Sequence, residues 1–180
     1  MKMSLPATLR PFFNALAFAA EQHKYQGRGG YERLPYINHI IKVTQTLIEI
    51  GNEQDETTII AAILHDVVED LAVTSGDIAL QFGADVATIV QELTDDMQLP
   101  YDQRKQLQVD RTGQLSLAAR KIRITDKASN IIDIFTYPLD WTAEKKRTYV
   151  DNSIQIVDQI RGTNKALEDY FDEAVAFSRE

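Results

Sequence analysis

The chain has 180 residues, a formal net charge of −8, 44% hydrophobic and 26% charged content, and no cysteine. That length supports a full core in one domain spanning residues 1–180, with the composition of an ordinary soluble globule. The acidic balance argues against nucleic-acid binding, the lack of cysteine excludes disulfides and thiolate metal sites, and no signal core or membrane-length apolar run is present. A cytoplasmic location without membrane or nucleic-acid partners is therefore expected.

Nearly every segment reads as helix, so the expected fold is all-α, a helical bundle without strands. Leu9 to Gln26 carries Phe13, Leu16, Ala17 and Ala20 at helical spacing, and Gly27-Arg28-Gly29-Gly30 breaks it. Tyr36 to Ile50 follows, with Gly51 as its stop. Asp55 caps a central helix that runs through His65 to Asp70. Thr74 or Ser75 opens a short helix to Phe82, Gly83 ends it, and Ala84 to Leu93 comes next. Pro100 suits the first position of Tyr101 to Asp110. Ser116 to Phe135 is long. Thr142 caps a helix to Ile160, and Asn164 starts the last one.

The central helix begins with apolar residues and ends with His65, Asp66, Glu69 and Asp70 within six positions. Residues three and four apart share a helix face, so an unbroken helix places His65 over Glu69, and Asp66 over Glu69 and Asp70. Such a cluster is costly to bury without a cation. The sequence has two other histidines. His39 lies early in the second helix and reads, taken alone, as a half-buried hydrogen-bonded residue. His23, at a helix end, reads as a packing residue. A carboxylate from another helix would complete a ligand set, and Asp126 is the candidate. It interrupts a run of apolar and basic residues, either as an ion-pair partner of Arg123 or Lys127 or as a ligand. Two imidazoles and two carboxylates suit Mn, Fe, Mg or Zn, with positions left for water.

The order His39, His65-Asp66, Asp126 resembles the HD superfamily of metal-dependent phosphohydrolases. The segments Pro35 to His39, Ala61 to Asp70, Leu93 to Asp96 and Ile124 to Ile131 are similar to the hydrolase domain of RelA/SpoT homologues. Arg104 to Gln108 and Arg161 to Asn164 resemble its stand-alone metazoan form. The resemblance implies an HD-type helical domain that hydrolyses the alarmones ppGpp and pppGpp at the 3′ position, releasing pyrophosphate. It implies Mn²⁺ bound by His39, His65, Asp66 and Asp126, and a small-molecule nucleotide as the partner. Synthetase and regulatory domains have no room in 180 residues.

Within that framework Glu69 and Asp70 are the expected catalytic acids, one handling the attacking water and the other assisting. Arg28 is the expected phosphate neutraliser. Asn130, one turn after Asp126, can reach the sugar of a nucleotide over the metal. The resemblance also puts Lys145 and Tyr149, one turn apart, near the nucleotide; a solvated Lys-rich face is the plainer reading. The family commonly shows Arg-Lys-Asp-Gly where this chain has Arg28-Gly29-Gly30. One phosphate-directed charge is therefore missing or supplied by Arg33. That change keeps open a phosphatase acting on NADPH or another nucleotide. A silent nucleotide-binding protein is a further alternative, which the full set of ligands and acids argues against.

Overall fold

The computed structural model describes residues 6–28, 31–70 and 73–180, without the side chains of residues 31–33 and 70. Helix α1 (Arg10–Gln22) opens where Pro11 costs no hydrogen bond. It ends at Gln22, four residues before the expected stop. A short hairpin follows, β1 (Gly27–Arg28) antiparallel to β2 (Tyr31–Pro35). This corrects the expectation of a strandless chain: elements of two and five residues are too short to show a period-two pattern. Helix α2 (Ile37–Glu49) comes next. The turn after it takes its positive φ at Asn52, not at Gly51. Gly51 has a different reason to be glycine, since a Cβ there would meet the Leu47 carbonyl oxygen at 2.5 Å.

Asp55 caps α3 (Glu56–Leu64) by accepting the Thr58 N–H at 2.8 Å. The remaining helices are α4 (Val67–Asp70), α5 (Ser75–Phe82), α6 (Ala84–Leu93), α7 (Tyr101–Thr112), α8 (Leu117–Thr136), α9 (Ala143–Asp158) and α10 (Lys165–Phe177). Thr74 and Asp77 form a reciprocal capping box at α5. Ser116, Thr142 and Asn164 each cap a helix through the side-chain oxygen. Pro100 is the residue before α7, not its first helical residue.

Every residue of α3 from Thr58 to Leu64 is buried. A helix apolar all round must be surrounded, and α3 packs against α1, α2, α6 and α8. The long helix α8 also packs against α2, α9 and α10. Leu47, Leu64, Ile122, Ile131 and Phe171 are fully buried in the shared core. Yet α8 also buries Arg123, Asp126, Lys127, Ser129 and Asp133 among its isoleucines. Desolvating that many polar groups is unfavourable unless they meet partners; Arg123 does so at the end of α6, and Asp126 and Ser129 where α2, α3 and α8 converge.

The central helix is not continuous. α3 stops at Leu64, His65 and Asp66 form a turn, and α4 restarts at Val67. The stacking expected from one unbroken helix is thus corrected. Neighbouring residues on a regular helix point about 100° apart. Here the Asp66 carboxylate lies 3.1 Å from the ring nitrogen of His65.

Candidate metal centre

His39 is set on the first turn of α2, His65 at the C-terminal cap of α3, and Asp126 in the middle of α8. All three are buried, and one ligand atom from each lies within 4.8 Å of the others. His39 Nε2 is 3.3 Å from Asp126 Oδ1 and 3.7 Å from Asp66 Oδ2. His65 Nε2 is 3.1 Å from Asp66 Oδ2 and 3.8 Å from Asp126 Oδ1. His39, His65 and Asp126 thus bring ligand atoms together, and Asp66 Oδ2 lies beside both imidazoles.

Donor chemistry fits a divalent cation there. His65 Nδ1 lies 2.8 Å from the Ala62 carbonyl, which can only accept, so Nδ1 carries the proton and Nε2 can offer a lone pair. His39 Nδ1 meets Ser129 Oγ at 3.3 Å. Both Nε2 atoms are buried without a hydrogen bond of acceptable geometry. Metal-bound histidines are oriented in this way, through the nitrogen that does not bind the ion. Tyr36 donates its hydroxyl to Asp66 Oδ2 at 2.6 Å, and Asn130 Nδ2 donates to Asp126 Oδ1 at 2.6 Å. His23 stacks on Tyr36 with ring centroids 4.7 Å apart and bonds Gln26 through Nδ1. It is the packing residue that the sequence suggested.

Burial disfavours charge on His65, but the carboxylates of Asp66 and Asp126 outweigh it and push its pKa up to about 10. Burial and the nearby Arg28 charge hold His39 below its usual value. Asp126 stays well below the carboxylate range despite burial, because Lys127 and the two imidazoles surround it. Lys127 Nζ is 3.7 Å from Asp126 Oδ2, so Asp126 is at once a ligand candidate and an ion-pair partner. Arg123, the other partner considered, donates instead to the Leu93 carbonyl at 2.9 Å.

The expected acids behave differently from the ligands. Glu69 Oε2 accepts the Asp95 N–H at 2.9 Å. Burial, then the charge of Asp95, raises its pKa. Glu69 also lines a cleft of about 880 Å³ between α6 and α7. The Asp70 side chain lies outside the described residues, as do Gly29, Gly30 and the side chain of Arg33.

Arg28 is tied into the protein. Its Nε donates to Asp133 Oδ2 at 2.9 Å, its Nη2 donates to Asn130, and its guanidinium lies over the Tyr36 ring. Lys42 donates to the other Asp133 oxygen at 3.2 Å. Asn130 thus bridges Arg28 and Asp126. Tyr149 is half-buried near Asp126; burial and that charge raise its hydroxyl pKa, so it is a neutral donor. Trp141 meets the Tyr149 ring edge-on, and Lys145, exposed, lies 4.1 Å above the Trp141 ring. Lys145 is therefore joined to Tyr149 through Trp141. Sequence reasoning missed Asp133 and Tyr36. Asp133 was findable, because Asp126, Asn130 and Asp133 lie at i, i+4 and i+7 and so share one face of α8.

Residues 15–132 match the HD domain family model. The chain is 38% identical over 163 residues to the guanosine-3′,5′-bis(diphosphate) 3′-pyrophosphohydrolase MESH1 of Drosophila melanogaster, covering 90% of this chain and 91% of that one. It is 39% identical over 171 residues to the MESH1 protein of Xenopus tropicalis, covering 94% of each. Among solved structures it matches a metazoan SpoT orthologue that hydrolyses ppGpp, with a TM-score of 0.89 and 35% identity, covering 97% of this chain and 98% of that one. The chain belongs to the HD domain family and, within it, to the group of the MESH1 proteins.

Proposed function

We propose that this chain is a metal-dependent hydrolase that removes the 3′ pyrophosphate of ppGpp and pppGpp, acting as one domain over residues 1–180. The observation that carries this assignment is the convergence of His39, His65 and Asp126 in a chain matched over nine tenths of its length by relatives with that activity. His39, His65, Asp66 and Asp126 would hold the cation, with Mn²⁺ as the expected ion. A cation there supplies Lewis acidity toward a phosphoryl oxygen.

The remaining steps belong to the chain's own side chains. Water forms a bond to the phosphorus attached at the ribose 3′ oxygen. The bond from that phosphorus to the 3′ oxygen breaks, pyrophosphate leaves, and the 3′ oxygen takes up a proton. Glu69 accepts the water proton; its raised pKa brings its basicity closer to neutral operation. Asp70 is the second acid. Arg28 has five N–H donors and spends two contacts on Asp133 and Asn130, which leaves a preset fork for phosphate. Asn130 and the neutral hydroxyl of Tyr149 face the nucleotide, and Lys145 adds positive charge.

A substrate panel tests this. Mn²⁺-loaded protein is incubated with ppGpp, pppGpp and NADPH, quenched with chelator and read by anion-exchange chromatography. GDP from ppGpp and GTP from pppGpp are the expected products. Phosphate release from NADPH with both alarmones intact would leave only a metallophosphohydrolase of different substrate.

A further inference from the structure

We propose that Lys105 and Gln108 of α7 are positioning residues for Glu69, acting through Asp95. This rests on Glu69 taking part in the hydrolysis proposed above. Glu69 does not hold its own place: its Oε2 accepts the backbone N–H of Asp95, which lies outside any helix, two residues beyond the end of α6. The N–H can stay there only if the segment after α6 is fixed. Asp95 is fixed by its side chain, whose Oδ2 accepts from Gln108 Nε2 at 2.8 Å and from Lys105 Nζ at 3.3 Å. The Asp95 carboxylate is 8% exposed and Lys105 20%, so both hydrogen bonds are shielded from competing water and screening is weak.

Helix α7 reaches the same segment once more further along, where Arg104 Nη1 donates to Met97 Sδ at 2.8 Å, but that contact does not touch Asp95. The buried residues of α7 are Gln108 and Thr112, both polar, and its helix partner is α9. With no fully buried apolar residue, α7 meets the Glu69 side of the cleft through this polar clamp and the half-buried Leu107. The clamp is also charge-balanced: Lys105 opposes the negative pair of Glu69 and Asp95, and its charge lowers the Glu69 pKa that burial and Asp95 raise. Asp95 thus has two tasks. Its backbone orients Glu69, and its side chain transmits the position of α7. Neither Lys105 nor Gln108 is a catalytic residue; each positions Glu69 through Asp95.

Lys105→Met and Gln108→Leu test the proposal, singly and combined, with Lys105→Arg as the conservative control. Two readouts are taken on the full chain. The first is hydrogen exchange of the Asp95 amide, which reports the bond to Glu69 without reference to any substrate. It should speed up by about tenfold or more in the double variant, the scale for losing a hydrogen bond to a charged group. The second is the split between kcat and KM for ppGpp, or for whichever nucleotide the panel identifies. The double variant should lose about ten- to a hundredfold in kcat, as for a group displaced by about an ångström, with KM within about twofold. Lys105→Arg should restore most of kcat. Unchanged Asp95 exchange overturns the clamp. Faster exchange with unchanged kcat overturns its role in positioning Glu69. If wild-type protein turns over no nucleotide, the hydrolase assignment fails, while the exchange experiment still decides whether the clamp exists.

Discussion

At the scale of single residues, the centre is defined by what each imidazole does with the nitrogen turned away from it. Ala62 and Ser129 fix the rings of His65 and His39, and Tyr36 and Asn130 fix the carboxylates. The ion-free protein should show this in its pH dependence. The pKa of His65 rises from about 6.5 to about 10 on folding. The folded state therefore holds a proton more tightly than the unfolded state. That contribution is fully present below about pH 6.5 and is lost as pH rises through about 10. Chelator-treated protein should lose thermal stability across that window, and His65→Gln should flatten the loss. Glu69 gives a second case. Its folded pKa is raised, so its stabilising effect is present below the unfolded value and disappears as pH rises through the folded one. Glu69→Gln should raise the melting temperature near neutrality more than near pH 4. The same variant should keep its metal content and lose about a hundredfold or more in turnover.

At the scale of elements, caps and amphipathic spacing were legible before the structure, and the functional departures from regularity were not. Asp55 and Thr142 cap the helices they were expected to cap, and Thr74, Ser116 and Asn164 cap the helices they were expected to begin. Their side-chain oxygens act on N–H groups two or three residues away, so the signal is local. The break at His65-Asp66 is different. Ile59 to Asp70 has the composition of one helix, and the turn serves contacts with Asp126, some 60 residues distant, which no local pattern can encode. The hairpin that carries Arg28 was missed for a similar reason. Arg28 is bound to α8 through Asp133 and Asn130 more than 100 residues away. Arg28→Ala should therefore do two things. It should raise KM strongly by removing the phosphate fork. It should also lower unfolding free energy by about 1.5–3 kcal/mol in urea denaturation, the scale for a charged hydrogen bond, because buried Asp133 loses its guanidinium donor.

At the scale of the whole molecule, an acidic chain must gather positive charge locally to receive a polyanion. It does so around α8, where Arg28, Lys42 and Lys127 all pair with Asp126 or Asp133. A cation bound in the folded state and not in the unfolded one adds stability as RT ln(1 + [L]/Kd). Mn²⁺ at about a hundred times its dissociation constant should add about 2.7 kcal/mol. Asp126→Asn should abolish most of that gain while leaving the helical circular dichroism unchanged. The fold-level likeness was legible because the order His39, His65-Asp66, Asp126 can be read along the chain, whereas the geometry that brings His39, His65 and Asp126 together cannot. Among the described residues no helix is long and apolar enough to cross a membrane.

The identity of the leaving group separates a 3′-pyrophosphohydrolase from a phosphatase at this centre. Mn²⁺-loaded wild-type protein and Asp126→Asn are given ppGpp, quenched with chelator, and the phosphorus products resolved by ³¹P NMR. The expected result is inorganic pyrophosphate and GDP in equal amounts from wild type, and intact ppGpp from Asp126→Asn. Orthophosphate as the product, or equal pyrophosphate release by Asp126→Asn, would contradict a 3′-pyrophosphohydrolase built on this centre.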